Sequence, residues 1–205
     1  MPSAIRTQVN KGLHGGLPET PKPGSPLFAR VQNHLIGNNA LAVENVARVA
    51  KTLGFRPLVL TTTLTGEARE VARMLGAIAQ EIHRTGRPAR RPACVILGGE
   101  PTVTVSGTGK GGRAQEFALS AASGIAGLPK TWIAAFGTDG TDGPTDAAGA
   151  VVDGQTVMRA KRRTLDPAEA LRRHDSYAFF KKLVGHIVGG PTGTNLNDLY
   201  LLVLL

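Results

Sequence analysis

The chain has 205 residues, a formal net charge of +9, 41% hydrophobic residues and only 4% aromatics, so it suits one good-sized domain, with or without an appendage, packed by Ala, Val, Leu and Ile. No apolar run approaches the roughly 18 residues of a transmembrane helix, the N-terminus lacks the apolar core of a signal peptide, and the single cysteine, Cys94, excludes an internal disulfide, so a cytoplasmic location without membrane contact follows by default. Basic residues cluster at Arg84, Arg87, Arg90 and Arg91, at 159–163, and at Arg172 with Arg173, but no aromatic residues interleave to stack bases; a solvated basic face is favoured over nucleic-acid binding, and small anionic substrates fit the charge equally well.

Residues 1–26 read as a lead-in. Ile5, Val9 and Leu13 recur at helical spacing, which predicts a short amphipathic helix, and the proline-rich LPETPKPGSP after it must be extended or turn-like. The α/β domain is expected over 27–205, and from Val31 the pattern becomes regular. VQNHLIG (31–37) is a candidate strand. Asn39 is placed to cap a helix with Val43, Val46, Ala47, Ala50 and Leu53 on its apolar face and Gly54 at its end. RPLVLTT reads as a buried strand. The GEAREVARMLGAIAQEIHR stretch predicts a long helix with Val71, Met74, Leu75, Ile78 and Ile82 inward and Glu67 and Glu70 in its first turn. His83 suits the role of a partner for that helix's C-terminal dipole.

ACVILGG is a buried strand holding Cys94, which is expected to be inert, and TVTVSG reads as a second short strand. A helix is expected from about Ala114 to Ala126, with Phe117, Ala121 and Ile125 inward. TWIAAFG and AVVDG are strands. Asp166, Pro167 and Glu169 form a cap, N1 and N3 set, and Asp175 or Ser176 caps the SYAFFKKLVG helix. HIVGG and LYLLVLL close the chain as strands. Alternating strands and helices predict an α/β fold, a largely parallel or mixed sheet flanked by helices in a Rossmann-like manner.

Three loops carry the chemistry. SGTGKGGR, GTDGTDGPTD and GGPTGTNLND each follow an apolar strand, and in a parallel sheet they would share one edge. In the first, Gly107, Gly109, Gly111 and Gly112 let the backbone approach a ligand, a helix N-terminus follows, and Lys110 and Arg113 add cationic donors, a combination suited to a phosphorylated ligand. The spacing is neither a P-loop nor a clean GxGxxG. Glu100 and Glu116 flank this loop, placed to pair with Arg113 or to meet a substrate hydroxyl. In the second loop Asp139, Asp142 and Asp146 offer hard oxygens suited to Mg²⁺, or alternatively Asx-turns that satisfy the loop's own backbone. The third loop holds Thr192, Thr194, Asn195, Asn197 and Asp198; its hydroxyls, an amide and the backbone N–H groups of two glycines suit a carboxylate or phosphate, or alternatively it is a polar turn before the last strand. His174-Asp175-Ser176 is not a triad, because sequence neighbours do not face one another.

GGEPTVTVSGTGKGGRAQE, FGTDGTDGPTDAAGAVVDG and GGPTGTNLNDLYLLVL resemble the MOFRL domain of bacterial-type glycerate 2-kinases, proteins also labelled hydroxypyruvate reductases. The resemblance covers nearly the whole chain from about Leu17, with the MOFRL-like core at about 92–205. It implies ATP- and Mg²⁺-dependent phosphorylation of D-glycerate to 2-phosphoglycerate. On this resemblance Arg113 is the catalytic candidate; Lys110 and the backbone of Gly107, Gly109, Gly111 and Gly112, with Glu100, Glu116, Thr192, Thr194 and Asn195, bind substrate or phosphate; Asp139 and Asp142 are the candidate metal ligands.

Two departures stand out. The family has Asn after the arginine, in GGRNQE, where this chain has Ala114. The family's proteins are also about twice this long, and their SGGGSA-type motif is absent here. The chain is therefore expected to be a C-terminal portion whose partner half is encoded separately or missing, with an apolar patch exposed unless this part forms a homodimer. The alternatives are a non-catalytic module that binds phosphate or another small molecule, and a hydroxypyruvate reductase, which lacks support because no GxGxxG with a downstream ribose acid is present.

Overall fold

The last strand of the sequence, β6 (Asp198–Leu204), lies in the middle of the sheet. In the computed structural model, which describes residues 1–205, the six strands are ordered β1 (Arg56–Leu64), β2 (Ala93–Gly99), β6, β3 (Thr131–Gly137), β4 (Gly149–Asp153) and β5 (His186–Ile187). β1 and β2 are parallel, and every other neighbouring pair is antiparallel. The sheet is thus mixed. Strand β6 inserts between β2 and β3, pairing Val95 with Leu202 on one side and Ile133 with Leu202 on the other.

Helices cover both faces. On one, α3 (Ala68–Thr85) and α4 (Arg113–Gly124) pack side by side, with the short α5 (Thr156–Arg162), α6 (Pro167–Arg172) and α7 (Ser176–Leu183) beyond them. Leu75, Ile82, Phe117, Ile125 and Phe180 meet Val95, Leu97, Ile133, Tyr200 and Leu202 there in the main core. Every residue of α4 from Ala114 to Ala122 is buried, so this helix is the middle of the molecule rather than a surface element. It touches α3 closely enough that a Cβ on Gly76 would lie 3.0 Å from the Cα of Gly124. On the other face α2 (Asn39–Thr52) packs Val43 and Ala50 against Cys94, Ile96 and Leu199. Burial pushes the Cys94 thiol up to about 11, which keeps it protonated and unreactive.

Residues Met1–Ile36 form one compact unit and Gly37–Leu205 the other; residues 27–36 therefore fall outside the α/β unit. Within the first unit α1 (Ser3–Leu13) forms as its spacing predicts, but Ile5, Val9 and Leu13 all stay exposed. No helix of the chain is long and apolar enough to cross a membrane.

Several local expectations change. VQNHLIG is not a strand. Asn38, not Asn39, caps α2, its side chain accepting from the Leu41 N–H at 2.8 Å. Asn39 instead donates to the Leu196 and Asp198 carbonyls, tying α2 to the start of β6. β1 is an edge strand and only Leu64 of it is buried. Met74, expected inward, is 46% exposed because the core stripe of α3 runs through Ala68, Ala72, Leu75, Ala79 and Ile82. TVTVSG makes one bridge, Thr102 to Glu67, and no strand. Its backbone donors go elsewhere: Thr102 N–H to the Gly66 carbonyl and Thr104 N–H to the Glu67 carboxylate. α5 was not foreseen, and β5 is only two residues long.

Candidate functional site

The three loops do meet at one edge of the sheet. The first leaves the C-terminal end of β2 and the second that of β3, while the third enters the N-terminal end of β6. Because β6 runs antiparallel to both neighbours, its start lies beside their ends. Together they enclose a cleft of about 840 Å³ lined by Glu100, Gly109, Arg113, Asp139, His174 and Asn195 among others.

Arg113 is the first residue of α4 and projects across this edge. Its Nε and Nη2 donate to Asp198 Oδ2 and Oδ1 at 2.6 and 3.1 Å, a forked contact, and its Nη1 lies 2.9 Å from Glu100 Oε1. Asp198, 2% exposed, also accepts from the Tyr200 hydroxyl at 2.8 Å. The bonds to Asp198 hold the Arg113 guanidinium well above its usual range, so its charge is permanent. Burial, together with Asp198, raises the Tyr200 hydroxyl in the same direction and keeps it a donor. Asp198 was visible in the sequence only as the end of a polar loop. Its role comes from being the first residue of the central strand, directly beneath the start of α4.

Asp142 has a different place from that of an open ligand. Its two oxygens accept the N–H groups of Ala114 and Gln115 at 3.0 and 2.9 Å, and the Gln115 side chain adds a third bond at 3.0 Å. The carboxylate thus occupies the α4 N-terminus that the sequence offers as an anion site. Burial raises its pKa, an effect opposed by those three bonds. Asp139 spends one oxygen on an Asx-turn to the Thr141 N–H at 3.0 Å and keeps Oδ2 free. No group of three His, Cys, Asp or Glu side chains is close enough to hold a metal ion by itself. Ala114 is fully buried in the main core, so an asparagine there would place its amide among apolar side chains.

The glycine-rich loop is clamped rather than free. Gly109 N–H donates to the Arg173 carbonyl at 2.9 Å, Lys110 N–H to Asp175 Oδ1 at 3.1 Å, and Tyr177 N–H to the Lys110 carbonyl at 2.9 Å. A Cβ at Gly107 would lie 2.4 Å from the Arg173 carbonyl oxygen, and one at Gly112 would lie 2.3 Å from the Asp142 carboxylate. The glycines are therefore required by the 173–177 segment and by Asp142, with the ligand a separate matter. Asp175 heads α7 but uses its side chain on this loop instead of on its own helix.

Of the other expected residues, Glu116 and Asn195 line the cleft, whereas Lys110, Thr192 and Thr194 do not. Lys110 turns its ammonium onto the Tyr177 ring, 4.9 Å from the centroid, and Tyr177 in turn donates to Asp146 at 2.7 Å. Thr192 joins the second and third loops, its hydroxyl donating to the Thr138 carbonyl at 2.6 Å and its N–H to the Asp139 carbonyl at 3.0 Å. Thr194 is exposed beside it, and neither threonine lines the cleft. Asn195 does line it, with Oδ1 accepting from the Asn197 N–H and its amide nitrogen unengaged. Glu116, nearly fully buried, pairs with Arg69 and His174 at 2.8 Å each and does not reach Arg113. No sequence spacing links these three residues; only the packing of α3 and α4 against the α6–α7 turn does so.

Residues 93–198 match the MOFRL family, a span that contains both the Gly107–Arg113 loop and the Asp139–Asp142 loop. The chain is 44% identical over its full 205 residues to a glycerate 2-kinase of Pyrococcus horikoshii, of which it covers 46%. It is 45% identical over 183 residues to a D-glycerate 2-kinase of Thermotoga maritima, covering 89% of this chain and 43% of that one. The crystal structure of a glycerate kinase from Thermotoga maritima superposes with a TM-score of 0.85 at 44% identity, over 86% of this chain and 43% of the other. The chain spans less than half the length of these relatives. The matched span, the identity over the full length and the superposing backbone agree, and the chain belongs to the MOFRL family.

Proposed function

We propose that the chain is the C-terminal portion of a glycerate 2-kinase, an enzyme that moves a phosphoryl group from ATP to the 2-hydroxyl of D-glycerate. The observation that supports this most is the Glu100–Arg113–Asp198 array at the cleft, in a chain with kinase relatives over its whole length. Phosphoryl transfer gains mainly from charge fixed in advance where charge develops. Asp198 takes Nε and Nη2 of Arg113, which fixes the plane of the guanidinium and leaves the Nη1 side, beside Glu100, to meet a transferring group. A floppy arginine would lose entropy on each turnover; this one is already immobilised by the protein.

The charge around Arg113 favours a divalent cation as well. Glu100, Asp139, Asp142 and Asp198 lie about a single cleft arginine, although the whole chain is basic. A triphosphate entering alone would meet net negative charge. The free Oδ2 of Asp139, with Glu100 nearby, suits Mg²⁺, which takes one or two carboxylates and completes its shell with phosphate oxygens and water. Bound there, Mg²⁺ would neutralise the phosphates. Asn195 offers its free amide to glycerate oxygens, and the unpartnered N–H groups of Gly111 and Gly112 offer donors to a phosphate.

The reading is tested by purifying this chain together with the segment that makes up the other half of its relatives. ADP release that requires D-glycerate, Mg²⁺ and both pieces is the expected result. Absence of ADP release from the pair, with NADPH oxidation in the presence of hydroxypyruvate, would overturn it. Arg113→Lys keeps the charge but loses the fork, and is expected to lower kcat by roughly 10²-fold or more.

A further inference from the structure

A second group of reactive side chains stands beside the Arg113 array without touching it. Ser106, His174 and Glu116 come from three separate places: the loop after β2, the turn between α6 and α7, and the first turn of α4. They form a row. Glu116 Oε2 lies 2.8 Å from His174 Nδ1, and His174 Nε2 lies 3.2 Å from Ser106 Oγ. Glu116 is 3% exposed and His174 5%, whereas Ser106 is at the surface.

The contacts fix the tautomer. A carboxylate only accepts, so Nδ1 carries the proton and Nε2 is the acceptor, facing the Ser106 hydroxyl. Arg69 Nη2 lies 2.8 Å from Glu116 Oε1, holding the carboxylate from the other side. The same nitrogen is 3.3 and 3.4 Å from the two ring nitrogens of His174, so it shares the Nε2 side of the ring with the Ser106 hydroxyl, which is nearer at 3.2 Å. His174 is held in this position at a φ of +55°, a left-handed conformation uncommon for a residue with a Cβ. A hydroxyl on an imidazole that is oriented by a buried carboxylate is the arrangement that activates a serine, recognised by its geometry and not by sequence order.

We propose that Ser106 is an activated nucleophile, with His174 as its base and Glu116 as the residue that positions the ring, and that this centre accepts acyl groups from small neutral esters. Three further observations fit that substrate class. The N–H groups of Gly107 and Thr108, directly after the serine, have no partner in the chain and are free to meet an oxyanion. Pro101, Val103 and Val105 give the adjoining cleft wall an apolar surface for an acyl chain. A neutral ester avoids the carboxylates that would repel an unescorted anion.

In the step, the Ser106 hydroxyl proton passes to His174 Nε2 as Oγ bonds to the ester carbonyl carbon. The C–O bond to the alcohol breaks, and the leaving oxygen takes the proton from Nε2. Water then adds to the acyl-serine, giving its proton to Nε2. The bond from the acyl carbon to Oγ breaks, and Oγ recovers the proton. One ester and one water yield one acid and one alcohol. None of this depends on the kinase reading, because the test uses the present chain alone and no nucleotide.

The experiment is labelling with a fluorophosphonate, followed by intact mass and peptide mapping, together with turnover of p-nitrophenyl acetate. One adduct per chain, mapped to Ser106 and absent from Ser106→Ala, is expected. In Ser106→Ala only a surface atom changes, so its fold is expected to be retained by circular dichroism. His174→Gln should slow labelling by about 10²-fold or more. Glu116→Gln should slow it too, per folded molecule, and should abolish the downfield Nδ1 proton resonance of His174; a merely structural Glu116 would leave the rate of the folded fraction unchanged. No adduct, an adduct on another residue, or equal labelling of Ser106→Ala overturns the proposal. If His174→Gln does not fold, the mapped site and Ser106→Ala decide it.

Discussion

Arg113 and Asp198 join the start of α4 to the start of β6 through two parallel bonds, 2.6 and 3.1 Å long, and Asp198 is all but excluded from solvent. A buried carboxylate without its cation costs more than the pair contributes, since desolvation is then unopposed. Arg113→Ala should therefore lower unfolding free energy by about 2–3 kcal/mol in urea titrations, discounted for the partial exposure of the arginine. Asp198→Asn should cost a similar amount, and the double variant less than the sum of the two. A coupling below about 0.5 kcal/mol would mean that the pair is not a unit. Loss of activity in an Arg113 variant has to be judged against this change in stability.

The glycine-rich loop leads to the second prediction. Gly107 has no room for a Cβ because the Arg173 carbonyl is 2.4 Å from where it would stand, and backbone cannot give way as a side chain can. Gly107→Ala should destabilise by about 1–3 kcal/mol through displacement of the 173–177 segment. Gly189, around which a Cβ would meet nothing within 4 Å, is the matched control; Gly189→Ala should stay within about 0.5 kcal/mol of the parent.

Asp142 leads to the third. It satisfies two N–H groups at the head of a helix that is buried along nearly its whole length, so water cannot replace it. Asp142→Ala should cost about 1–2 kcal/mol and should raise hydrogen exchange selectively at the amides of Ala114 and Gln115. Unchanged exchange at those two amides would show that the cap is not what holds the start of α4.

How legible this was in the sequence depended on whether the signal was local. The extent of the α3 helix, the cap of α6 by Asp166 and the Gly54 end of α2 are written in neighbouring residues and appear as expected, whereas only Leu75 and Ile82 of the expected α3 face are buried. TVTVSG alternates as a strand should, yet a long-range competitor, the Glu67 carboxylate, takes its Thr104 N–H. The convergence of the three loops was foreseen on the assumption that loops follow strands; the third converges because an antiparallel strand begins there. The glycine-rich loop stands out in the sequence, but two of the close neighbours of its glycines, Arg173 and Ser176, lie more than sixty residues away. Lys110 illustrates the same limit. Its sequence position favours phosphate, and only the placement of Tyr177 shows where its charge goes.

His83 was expected to be a charged partner of the α3 dipole, and its contacts argue the reverse. Thr131, buried, donates its hydroxyl proton to the Pro129 carbonyl at 2.9 Å, so its oxygen must accept from His83 Nε2 at 2.7 Å. That leaves Nδ1 as the acceptor, 3.4 Å from Arg91 Nη1. A second proton on the ring would face the Arg91 donor. Burial first, and the Arg91 charge second, lower the His83 pKa below its ordinary 6.5. The unfolded chain then binds the proton more readily than the folded one. The stability from this residue is fully present above pH 6.5 and is lost as pH falls through the depressed folded value. Urea titrations between pH 8 and pH 5 should show stability falling on acidification, and the fall should be smaller in His83→Gln. His186, also lowered by burial, acts in the same direction, so the informative quantity is the difference between the parent and His83→Gln. Arg91→Ala should shrink the loss and complete it at a higher pH, because without the charge that opposes protonation the folded pKa moves back toward 6.5; a loss unaffected by either substitution would place the titrating group elsewhere.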